Sequence, residues 1–252
     1  MNCNHDLGLF DLIPLFSFLF LKGKCRYCKE AISWQYPIVE LITGILFLGV
    51  WLSFGLTLFT PLPPIQTVLQ IVYIKYTLIM LLLMIVLSVI DYKTYRLPNK
   101  IVFPMIGVAI FLEPLWGYLK IKHEPILLHD FLFDIQYLIK IISRSEEFSY
   151  HFLPDIPAYI VPLLAALFVF LFLLMIHIVT KGRGMGLGDV KYGIFMGLFV
   201  GWPGSIMALY LAFGLGAVVS LLLMVAKKKS LKDRIPFGPF LIIGTIIALF
   251  IM

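Results

Sequence analysis

Apolar runs on the scale of a bilayer dominate this chain and rule out a water-facing globule. The run from 157 to 180 carries no Asp, Glu, Lys or Arg, and about 20 such residues in a helix span the hydrocarbon core of a membrane. Hydrophobic residues make up 61% of the 252, charged residues 13%, and the mean hydropathy is +1.01. The expected class is therefore an all-α polytopic membrane protein. Glycine and proline punctuation divides the apolar sequence into seven expected spans, at 37–58, 69–90, 101–119, 157–180, 188–203, 205–226 and 237–252.

Basic residues orient these spans. With residues 1–36 on the cytoplasmic side, 15 of the 20 Lys and Arg fall in cytoplasmic segments, as the positive-inside rule requires. The span 188–203 is short and interrupted by glycines, yet without it the cluster KKKSLKDR would face outward, so it is read as a short or tilted crossing. The segment 120–156 is polar and external, and 126–142 within it has the pattern of an amphipathic surface helix. At the start, the stretch 7–21 carries Asp11 and Pro14, lacks a basic n-region before it and has no small-residue cleavage site. It is expected at the membrane interface rather than as a secretory signal.

Two aspartates stand out against this background. Asp91 ends the run LMIVLSVID, and Asp189 closes the glycine-rich string Gly184-Met185-Gly186-Leu187-Gly188-Asp189. The topology places both at the cytoplasmic boundary, although 98 residues separate them. Two carboxyls brought together in one leaflet cannot both ionise easily, so they share a proton and supply one base and one acid. That combination suits the activation of water and the protonation of a leaving amine. For either residue alone the plainer reading stays open: Asp91 as a solvated helix end, and Asp189 as a cap on the helix beginning near Val190. Gly184, Gly186 and Gly188 allow a close backbone approach, so an extended substrate fits beside Asp189. The string lacks the Lys-Ser/Thr ending of a phosphate-binding loop, and no nucleotide or nucleic-acid partner is expected.

The string from Gly184 to Lys191 resembles the GxGD signature of type IV prepilin peptidases, a family of membrane aspartic proteases. Three further strings agree in order along the chain. Asp91 is followed seven residues later by Pro98, as in the family's first aspartate motif. Ile235-Pro236-Phe237-Gly238-Pro239-Phe240-Leu241 is similar to its C-terminal motif. Lys22 to Cys28 and Tyr36 to Leu41 are similar to its cytoplasmic domain. The resemblance implies catalytic roles for Asp91 and Asp189, substrate contacts at Gly184, Gly186, Gly188, Lys191 and Glu40, and a prepilin or pseudopilin substrate cut at the cytoplasmic face of a prokaryotic inner or plasma membrane. Proteolysis of this kind requires no cofactor. Because the cytoplasmic rim is basic, it suits anionic lipid headgroups, and recognition of a basic leader is sought at Asp6, Asp11, Glu30 and Glu40.

The resemblance also bears on the cysteines. Cys25 and Cys28 have the CxxC spacing of tetrahedral zinc sites, and family members often carry two such pairs. Here Cys3 stands alone, its expected partner and the family's upstream helix falling before Met1, which reads as an N-terminally truncated domain with Cys3, Cys25 and Cys28 as a zinc remnant; reduced thiols without metal are the equal alternative. Many family members also N-methylate the product using S-adenosylmethionine, an activity with which Glu40 is associated. Two other classes of function remain open from the residues: a polytopic transporter in which Asp91 and Asp189 bind ions or relay protons, and a truncated, inactive homologue that binds pilin subunits. Paired repeats and broken midplane helices, which would favour transport, are not evident.

Overall fold

Several helices in this chain stop at a left-handed residue: Lys22, Tyr95, Lys181 and Gly201 all have positive φ. The structure, a computed structural model, describes residues 5, 8, 11, 13–55, 64–119, 157–182, 184–226 and 236–251. Cys3, Asp6, Arg183, the basic cluster at 227–234 and the segment 120–156, with its expected surface helix, lie outside the described residues. Eight α-helices occupy the described parts: α1 (Phe16–Phe20), α2 (Gln35–Val50), α3 (Pro64–Thr94), α4 (Asn99–Leu119), α5 (Val161–Val179), α6 (Leu187–Val200), α7 (Gly204–Val225) and α8 (Gly238–Ile251). A single π-helical turn, Trp51–Gly55, extends α2. The expected all-α class holds, with no strand among the described residues. The chain divides into two compact units, Met1–Trp51 and Leu52–Met252.

In the first unit, polar groups tie short pieces of chain together. The Leu15 N–H donates to Glu40 Oε2 of α2 at 2.9 Å, and Phe18 of α1 sets its ring edge-on to Trp34 with centroids 5.0 Å apart. Asp11 pairs with Arg26 at 3.1 Å and accepts the Tyr27 hydroxyl at 3.1 Å. The bond to Asp11 pushes the Tyr27 phenol above its usual range. Cys25 and Cys28 lie in a tight turn closed by Cys25 N–H to the Glu30 carbonyl, 2.8 Å, and by an antiparallel bridge between Lys24 and Ala31.

The second unit is organised around α6. From Asp189 to Val200, all of its residues except Lys191 and Ile194 are buried, and α4, α5, α7 and α8 all pack against it. A Cβ at Gly197 would collide with the Ala166 backbone of α5, so the missing side chain sets how closely these two helices approach. Five helices have the length and hydropathy to cross a membrane: Gln35–Ser53, Thr67–Thr94, Asn99–Leu119, Val161–Val179 and Gly204–Val225. These match five of the seven expected spans. The remaining two, α6 and α8, have 14 residues each, or about 21 Å at 1.5 Å per residue. Protein rather than lipid surrounds α6, so its length is not set by the bilayer.

The sequence places the end of the second span at residue 90, but α3 continues to Thr94. No helix breaker stands at 90–91. The stop comes at Tyr95, whose φ is +54° and whose N–H returns to the Asp91 carbonyl at 2.8 Å. A buried polar link that the hydropathy pattern did not reveal joins α3 to α4: the Tyr76 hydroxyl donates to Glu113 Oε1 at 3.1 Å. Tyr76 also meets Phe199 of α6, with ring centroids 5.9 Å apart.

Gly197→Val should therefore wedge α5 from α6 and destabilise the second unit by about 1–3 kcal/mol. Gly107→Ala on α4, where an added Cβ meets nothing within 4 Å, should leave stability unchanged or raise it by up to about 1 kcal/mol through helix propensity. Thermal melts of both variants in one detergent test this; equal effects would refute the packing argument.

Candidate active site

A helix end fixes each of the two aspartates, and the two ends have opposite polarity. Asp91 lies in the last turn of α3, where the carbonyl ends of the helix disfavour a carboxylate. Asp189 is the third residue of α6, where free N–H groups favour one. The α6 helix begins at Leu187, three residues earlier than the sequence reading placed it. Asp189 Oδ2 accepts the Gly186 N–H at 3.3 Å, the backward half of a capping box. Both side chains are buried, Asp91 at 4% exposure and Asp189 at 8%. The Asp91 carboxyl is close enough for its charge to act on Asp189.

Four contacts hold these helix ends in register. Gly188 meets the turn after α3, where a Cβ at Gly188 would lie 3.1 Å from Leu97 Cβ. Lys191 Nζ donates to Asn99 Oδ1 at 3.1 Å and stands 5.2 Å from the centre of the Phe103 ring, tying α6 to the start of α4. On the other flank, the Tyr192 hydroxyl donates to Thr245 Oγ1 of α8 at 3.2 Å, and Thr245 donates to the Leu241 carbonyl at 2.7 Å. Finally, α8 presents Gly238 to Asp91. Its main-chain N–H is directed at the carboxyl group, and a Cβ there would sit 2.5 Å from Asp91 Oδ2. No residue but glycine fits beside that carboxyl without displacement.

Asp91 Oδ2 is buried and has no hydrogen-bond partner among the described residues. The rim beside the two carboxyls is open: Gly184, Gly186, Leu187 and Tyr92 are exposed.

The other residues singled out in the sequence fall in different places. Gly186 borders Asp189 and Gly184 packs against Thr180, while Gly188 and Lys191 are engaged with α4 and the turn before it. Glu40 lies in the first unit, exposed, and accepts the Leu15 N–H. Asp11, sought as a leader contact, is already occupied by Arg26 and Tyr27. Cys25 is half-buried and Cys28 exposed. Two thiols supply half the ligands that a four-thiolate site needs, and among the described residues no group of three or more His, Cys, Asp or Glu is placed to hold a metal. The sequence reading missed Leu97, Tyr192 and Thr245 as parts of the site. It saw Gly238 only within a motif, where the sole signal for its role was a glycine between two prolines and phenylalanines.

A model of the bacterial peptidase A24 N-terminal domain matches residues 1–54, and a model of the type IV leader peptidase family matches residues 78–144, which include Asp91. The chain is 27% identical over 251 residues to a prepilin leader peptidase/N-methyltransferase of Aeromonas salmonicida (strain A449), covering 98% of this chain and 69% of that protein. It is 26% identical over 250 residues to a protein of the same name in Bacillus subtilis (strain 168), covering 98% and 78%. No solved structure matches the chain.

Gly238→Ala should push Asp91 from its place and destabilise the second unit by about 1–3 kcal/mol. Asp91→Ala removes the group that the new methyl meets, so the double variant should recover most of that loss. Melting curves of the two single variants and the double variant measure the coupling; strictly additive losses would contradict the contact.

Proposed function

We propose, because this chain belongs to the type IV leader peptidase family, that it is a membrane aspartic endopeptidase removing the leader from prepilin-like or pseudopilin substrates, with Asp91 and Asp189 as its catalytic pair. The observation that supports this reading is the burial of both carboxyls at the ends of α3 and α6, near enough for the charge of one to act on the other. The ionised member takes a proton from water as the oxygen attacks the scissile carbonyl. The protonated member gives its proton to the departing amine as the tetrahedral intermediate collapses. The dyad then holds its one proton on the opposite oxygen, ready for exchange with solvent. Gly184 and Gly186 supply an exposed, side-chain-free edge along which the substrate backbone lies beside Asp189.

The reaction takes place at the cytoplasmic face of the inner or plasma membrane of a prokaryote. The loops carrying 15 of the 20 basic residues then face the cytoplasm and its anionic lipids. The leader is held by backbone and shape at the rim rather than by bulk charge, since the rim is itself basic. Methyl transfer to the new N-terminus is a second activity of this reading, supported by the names of the relatives. S-adenosylmethionine would supply the methyl group. For Glu40, the Leu15 N–H bond makes its role in the first unit the orientation of α1 against α2.

Asp91→Asn and Asp189→Asn should each reduce leader cleavage by at least roughly 10³-fold in proteoliposomes, with membrane insertion and melting behaviour retained. Cleavage near the normal rate by either variant would sink the paired-acid mechanism. Independently, single cysteines introduced at Lys93 or Lys100 in a background lacking Cys3, Cys25 and Cys28 should resist a membrane-impermeant thiol reagent in intact cells and react after lysis. Labelling in intact cells would reverse the orientation.

A further inference from the structure

His177, in the last turn of α5, lies outside every motif considered above. Its ring Nδ1 is 2.8 Å from the Met185 carbonyl oxygen. A carbonyl only accepts, so Nδ1 carries the proton and donates. Met185 C=O and Gly186 N–H belong to one peptide unit, and that same N–H donates to Asp189 Oδ2 at 3.3 Å. This peptide bond is trans, so its C=O and N–H point in opposite directions. A single planar group therefore has His177 on one side and Asp189 on the other.

The peptide needs such an anchor. Gly186 has φ −77° and ψ 152° here, but turning the plane over would move its φ into the positive region, which glycine enters freely. The flipped plane would set a carbonyl oxygen against the Asp189 carboxyl and remove its N–H donor. His177 opposes that flip by binding the carbonyl on the far side. Its own main-chain carbonyl accepts the Gly182 N–H at 2.9 Å, so one residue fixes both the exit from α5 and the approach to α6. Polarisation along the chain of bonds also strengthens the N–H to Asp189 contact.

We propose that His177 is a positioning residue for Asp189, acting through the Met185–Gly186 peptide. The proposal rests on the peptidase reading for its kinetic consequence and on geometry alone for its structural one. The two are tested separately. The Asn side-chain nitrogen lies the same number of bonds from Cα as Nδ1, whereas that of Gln matches Nε2. His177→Asn should therefore keep kcat within roughly threefold, while His177→Gln and His177→Phe should lower it by about tenfold or more with KM nearly unchanged. Labelling with carbonyl-¹³C methionine and ¹⁵N glycine leaves two Met–Gly peptides visible by NMR, 185–186 and 196–197. The Gly186 amide proton should move upfield in His177→Phe and in Asp189→Asn, and hold its place in His177→Asn. Absence of cleavage by the unaltered protein overturns the peptidase reading and leaves the NMR test standing. An unmoved Gly186 signal in His177→Phe, or loss of turnover in His177→Asn as large as in His177→Phe, overturns the role of His177.

Discussion

Keeping two carboxyl groups out of water beside one another is the constraint on which this structure turns. Removing an ion from water costs several kcal/mol even after relaxation, and a second acid close by adds repulsion. Among the described residues the second unit answers with main-chain donors rather than with cations: the Gly186 N–H at Asp189 and the Gly238 N–H directed at Asp91. The nearby ammonium of Lys191 goes to Asn99 and Phe103 instead. Backbone donors stabilise a carboxylate without fixing its charge through a permanent ion pair, which suits the proposed paired-acid mechanism.

Helix polarity makes the two acids unequal. Asp189 sits at the N-terminal end of α6 and Asp91 at the C-terminal end of α3, so the local dipoles act on them in opposite senses. Under the proposed mechanism, unlike surroundings suit one acid to each role. Because α8 touches both ends, through Gly238 at Asp91 and through Thr245 at Tyr192, one short helix controls the spacing of the pair.

Much of this was legible in the sequence, for identifiable reasons. The apolar runs gave the class and most of the spans because hydropathy is a property of composition over about 20 residues. Asp91 and Asp189 were visible because an acid at a membrane boundary is conspicuous. What escaped was whatever depends on contact between distant segments. Hydropathy ended the second span at 90, but Tyr95 ends α3, and that extra turn is what carries Asp91. Glu113 was hidden because a single acid within an apolar helix gives no hint of its partner Tyr76, 37 residues away. His177 escaped because its partner is a main-chain carbonyl, which leaves no trace in side-chain pattern.

The central claim is that the ends of α3 and α6 share one site. It can be measured directly by placing cysteines at 91 and 189 in a background lacking Cys3, Cys25 and Cys28, with a protease site inserted between residues 120 and 156. A short bifunctional thiol reagent should then hold the two fragments together after cleavage of the inserted site. Separate fragments, with both cysteines modified but not joined, would contradict the account.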